Sequence, residues 1–98
     1  MSYRVILKEE ADGDVYNSYN WYESHQIGLG DKFLDEIEEY IEVLEKTPQI
    51  YQIRKKNRRY CPLNRFPYII VYEIEKYEVI IYAVFNTYQH PIRLDKRK

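Results

Sequence analysis

"FPYIIVYEI", residues 66–74, and "YEVIIYAVF", residues 77–85, decide the fold, because only Glu75 and Lys76 lie between them. Both runs are rich in β-branched and aromatic residues, the composition that suits a pleated, packed surface. Strands joined by two residues pair as a tight antiparallel hairpin. Apolar side chains occupy both faces of each run, so the hairpin belongs at the centre of a sheet. Helices should cover one face, and something else should approach the other.

Upstream of this pair, "YQIRKKNRRYCPL" (51–63) carries Arg54, Lys55, Lys56, Arg58 and Arg59. It reads as a loop leading into an edge or near-edge strand at about 57–61, ended by Pro62, since proline cannot donate to a central ladder. Before it, residues 31–46 hold Phe33, Ile37, Tyr40, Ile41 and Leu44 on one helical stripe. Asp35, Glu36, Glu38, Glu39, Glu42 and Glu45 fill the other faces, the pattern of a surface helix with a wet outer side. Pro48 ends it. An earlier helix over residues 9–26 has Ala11, Val15, Tyr19, Tyr22 and Gln26 at helical spacing, weakened by the interior Gly13. It stops at Gly28, a natural left-handed residue past a helix end. "GLGD" is therefore an inter-helix turn; without a preceding strand it lacks the context of a phosphate loop. Residues 3–7, "YRVIL", form a first strand. The expected architecture is one α+β domain over residues 1–98: a helical hairpin packed on a mostly antiparallel sheet, in the order β-α-α-β-β-β.

Composition narrows the function. Twelve tyrosines against three phenylalanines and one tryptophan suit thin cores and interfaces, because the ring is buried while the hydroxyl finds a partner. No apolar run approaches the roughly 18 residues of a membrane span. "MSYRVILKEE" lacks a signal-peptide pattern, so the expected location is cytoplasmic. The single Cys61 excludes an internal disulfide and reads as a small buried hydrophobe rather than a nucleophile. His25 and His90 are too far apart for a short-spaced zinc pair, so neither metal nor cofactor is expected. Net charge is −1, but residues 1–50 hold 4 Lys/Arg against 12 Asp/Glu, a balance of −8, and residues 51–98 hold 11 against 4, a balance of +7. Two readings stand: a solvated acidic helical face with a basic remainder, or a C-terminal half that meets polyanions or an acidic protein.

"NWYESHQIGLGDKFLDEIEEYIEVLEKTPQIY", "RRYCPLNRFPYIIVYEI" and "VIIYAVFNTYQHPIR", in that order and spacing, resemble the RelE/ParE superfamily of bacterial toxins from type II toxin–antitoxin pairs. The shared features are the Trp-Tyr pair, the "GLG" turn, "FLDE", the arginine before the Phe-Pro-Tyr strand, and the polar exit from the last strand. The resemblance implies a toxin neutralised by a cognate antitoxin whose C-terminal segment wraps it, with a higher-order toxin–antitoxin oligomer as an open expectation. It also implies two branches. RelE-like members cut messenger RNA on the ribosome; ParE-like members poison DNA gyrase and lack the nuclease residues.

Cleavage at a 2′-hydroxyl needs a base, an acid and cations around one phosphate. The resemblance offers Arg59 and Arg65 as cations and Tyr88 and His90 as acid and base. Arg54, Arg58, Arg59 and Arg93 are the expected contacts to a target or nucleic acid. Against the nuclease branch, the pI is about 6.1, whereas ribosome-entering members tend to be strongly basic. The reading here falls on the ParE-like, non-catalytic side. An mRNA endonuclease and a non-toxic antitoxin-binding protein are the alternatives. Tyr68, Tyr72 and Tyr82 are expected on a free sheet face as the antitoxin's seat.

Overall fold

The computed structural model describes residues 2–88. The elements are β1 (Arg4–Leu7), α1 (Glu9–His25), α2 (Leu29–Lys46), a short 3-10 turn (Pro48–Ile50), β2 (Ile53–Lys55), β3 (Arg58–Pro62), β4 (Tyr68–Glu75) and β5 (Glu78–Asn86). They form one five-stranded sheet in the order β1-β5-β4-β3-β2. The β4–β5 hairpin is central, as the two long runs require. β1 joins β5 in parallel, with Arg4 opposite Glu78 and Leu7 opposite Ile81; the remaining pairings are antiparallel.

Two details differ from the sequence reading. The basic run holds a strand of its own, β2, which pairs with β3 across a turn at Lys56 and Asn57. In the central hairpin Glu75 pairs with Glu78, so the turn residues are Lys76 and Tyr77 rather than Glu75 and Lys76. Lys56 and Lys76 each adopt a φ of 57°. That left-handed conformation lets both hairpins close in two residues without glycine, at some steric expense for a lysine.

The helical hairpin covers one face. Ala11, Phe33, Ile37 and Leu44 from the helices meet Cys61, Tyr68, Ile70, Tyr72, Val79, Ile81 and Val84 from the sheet. Aromatic rings concentrate at one end of this layer, where Tyr22, Phe33, Phe66 and Tyr68 lie with centroids 5.0–6.2 Å apart. On the opposite face Val71, Ala83 and Phe85 form a second buried cluster, flanked by Tyr60 and Ile69.

The turn between the helices is built by a carboxylate. Glu23 accepts the backbone N–H of Gly28 at 3.0 Å and of Gly30 at 3.0 Å. Gly28 takes the expected left-handed conformation, φ 89°. Gly30 is needed for a different reason: a Cβ there would lie 2.8 Å from the carbonyl oxygen of Tyr19. Gly13, by contrast, has nothing within 4 Å of where its Cβ would be. Gly13→Ala should therefore raise stability by about 0.5–1 kcal/mol, read from chemical denaturation, through helix propensity alone. A destabilised variant would show that α1 needs the glycine for contact rather than tolerating it.

Candidate functional site

Glu36 is where the sequence pattern misleads most. Counted among the solvent-facing acids of its helix, it is 1% exposed. Its position, three residues after Phe33, puts it on the edge of the apolar stripe. There its carboxylate accepts the backbone N–H groups of Arg65 (2.8 Å) and Phe66 (3.2 Å) and the Nε of Arg65 (3.3 Å). The Arg65 guanidinium reaches on to Glu39, with Nη2 3.2 Å from each carboxylate oxygen. Those acids hold its proton more tightly, first through the bond to Glu36 and then through the charge of Glu39. A candidate phosphate-binding cation is thus ion-paired with two acids of α2, while the Glu36 carboxylate pins the β3–β4 loop through that loop's backbone N–H groups.

Arg59 is likewise engaged. It sits opposite Tyr72, and its Nη1 donates to the carbonyl oxygens of Gln49 (3.2 Å) and Tyr51 (2.7 Å). These are acceptors left over at the end of the 3-10 turn, so the side chain works as a cap. Arg58 lies across the ring of Tyr82, its guanidinium carbon 4.2 Å from the ring centroid. Arg54 is exposed on β2.

Of the three tyrosines expected on a free face, two are in the core. Tyr68 is 6% exposed, and Tyr72 is fully buried with its hydroxyl donating to the carbonyl of Pro48. Both faces of β4 are apolar, so alternation alone could not say which one the helices take. Only Tyr82 points away from the helices. It is the extra residue where the β4–β5 register shifts, Val71 pairing with Ala83 and Tyr72 with Ile81. Its hydroxyl donates to Glu73 at 2.8 Å, and burial, followed by that bond, raises its pKa.

Cys61 is buried among Tyr40, Tyr51 and Tyr72, which are themselves shifted upward chiefly by burial. The same burial pushes its thiol up to about 11. A thiol held neutral there is no nucleophile.

Tyr88 is 87% exposed, with its backbone N–H on the Asn86 side-chain oxygen. It borders a cleft of about 520 Å³ lined also by Asn17, Ser18, Trp21, Tyr22 and Tyr68. Trp21 falls off the apolar stripe of α1, is half exposed, and stacks on His25 with ring centroids 3.9 Å apart. The sequence does carry that signal, since position 21 is out of phase with 11, 15, 19 and 22. His90 and Arg93 lie outside the described residues. Among the described candidates, Arg59 and Tyr88 stand apart. Arg59 is level with Tyr72, whereas Tyr88 follows Asn86, which pairs with Tyr68. Four residues of strand separate those levels, about 13 Å.

No helix among the described residues is long and apolar enough to cross a membrane. No curated protein sequence matches the chain. Among solved structures, one described as a chromosomal ParDE toxin–antitoxin system from P. aeruginosa shares the fold. It has a TM-score of 0.74 at 18% identity, covering 87% of this chain and 96% of that one. The family model described as the ParE toxin of the type II toxin–antitoxin system parDE matches residues 5–91. With that match spanning both helices and every strand of the sheet bar the first residue of β1, the chain belongs to the ParE toxin family.

Proposed function

We propose that this type II toxin inhibits growth by binding DNA gyrase, without cutting RNA, and is held inactive by a cognate antitoxin. The observation that carries the non-catalytic part is the occupancy of the arginines. Phosphoryl transfer from a 2′-hydroxyl needs cations aimed at one phosphate and free to meet the charge that develops there. Arg65 is spent on Glu36 and Glu39, and Arg59 on the carbonyls of Gln49 and Tyr51. Redirecting either would break the contacts that it already makes. Membership of the ParE family supports gyrase as the target. An acidic first half, with a balance of −8, also sits poorly with entry into an RNA-walled site.

Tyr88→Phe combined with His90→Ala removes both candidate proton carriers. The double variant should keep most of the growth inhibition on induction, should block gyrase supercoiling with purified components, and should leave translation rate unchanged. A proton-transfer role is worth on the order of 10²–10⁴-fold in rate, so its loss would be unmistakable. A folded but non-toxic double variant, whose parent cleaves messenger RNA on ribosomes, would overturn the proposal.

A further inference from the structure

Between Glu45 and Glu73 the chain has seven Lys/Arg and no acid. Four of those cations, Arg54, Lys55, Lys56 and Arg58, cluster around the tip of the β2–β3 hairpin at the outer edge of the sheet. A basic edge strand needs only one or two charges to discourage edge-to-edge pairing. This one has more, and it is built to keep its shape. Arg59 ties the hairpin's root to Gln49 and Tyr51, the Tyr60 N–H donates to the Gln52 carbonyl at 3.4 Å, and Arg58 is laid on the Tyr82 ring. The left-handed turn at Lys56 then presents Arg54, Lys56 and the amide of Asn57 on exposed residues. The helices, with their acids, pack chiefly on β1 and β5 at the other end of the sheet.

From this we infer that the β2–β3 hairpin is a phosphate-gripping finger for duplex DNA. Two features select DNA over an acidic protein. Lysine is depleted at protein–protein interfaces, yet two of the four cations are lysines, and phosphate contact is what flexible cations and side-chain amides do best. The tip also offers only one exposed apolar side chain, Ile53, too little to anchor a protein partner. The grip is sequence-independent and goes beyond the gyrase reading. It gives the toxin its own hold on the DNA that any topoisomerase carries, and it can be measured with no enzyme present.

The test uses the full chain and a short mixed-sequence duplex, followed by fluorescence anisotropy across a salt series. Wild type should bind with Kd of about 10⁻⁶–10⁻⁴ M at near-physiological salt, the range of non-specific contact. Arg54→Gln with Lys56→Asn removes two charges from exposed positions, and asparagine accepts the left-handed turn. This variant should weaken binding about tenfold at low salt and reduce the slope of log K against log salt by about 2. Its circular dichroism and thermal midpoint should match the wild type. An unchanged slope in the folded variant overturns the inference. So does wild-type protein that ignores duplex at low salt, or that prefers polyglutamate to DNA at the same ionic strength.

Discussion

Glu36→Ala should lower the stability of this domain by about 3–4 kcal/mol, and with it the thermal midpoint by about 15–20 °C. The size follows from what the carboxylate holds. Two backbone N–H groups, of Arg65 and Phe66, donate to it in a partly buried loop. Charge-assisted bonds of that kind contribute about 1.5–3 kcal/mol each, and alanine would leave both donors without a protein acceptor. The Arg65 ion pair adds little, because its guanidinium side is 56% exposed and water screens it. Arg65→Ala should therefore be far milder than Glu36→Ala, and Glu36→Gln should fall between them, keeping one acceptor oxygen. Urea denaturation of the three variants checks the order. If Arg65→Ala proved as damaging as Glu36→Ala, the ion pair rather than the backbone bonds would be what holds the loop.

Gly30→Ala should be the second severe change, destabilising by about 2–3 kcal/mol. The new Cβ would meet the Tyr19 carbonyl oxygen at 2.8 Å and the Glu23 carboxylate at 2.9 Å. A side-chain end can swing away, but a helix carbonyl moves only with its helix. The hairpin must open, and the Glu23 bonds to Gly28 and Gly30 must stretch with it. The same substitution at Gly13 should do the opposite. The contrast between two glycine-to-alanine changes in one helical hairpin separates steric contact from propensity, by denaturation alone. Equal and mild effects at both sites would mean that α1 and α2 slide freely past each other.

The sequence makes the helical hairpin and the central strand pair legible because each depends on local pattern. Phe33, Ile37, Tyr40, Ile41 and Leu44 belong to one core cluster, and the two long apolar runs are neighbouring central strands. What escapes is decided by partners far along the chain. Glu36 looks like its solvated neighbours until the loop 29 residues later supplies the donors. β2 is three exposed residues, Ile-Arg-Lys, with no apolar face to betray a strand. Tyr68 and Tyr72 share a face with each other, but a strand that is apolar on both sides does not say which face meets the helices. Arg59 and Arg65 carry the right chemistry for a phosphate, and only the folded chain reveals the carbonyls and carboxylates that they meet.

The parallel pairing of β1 with β5 has a consequence for the order of events during synthesis. Arg4 must wait for Glu78, and Leu7 for Ile81, so the first strand made is completed by the last. The helical hairpin can form as soon as it leaves the ribosome, since its contacts are local. The sheet cannot close until nearly the whole described chain has emerged, and closures of such long span are slow. For most of its birth the polypeptide is a helical hairpin with an unfinished sheet. The finished sheet, with β1 locked beside β5, therefore appears only after residues 78–81 have left the ribosome.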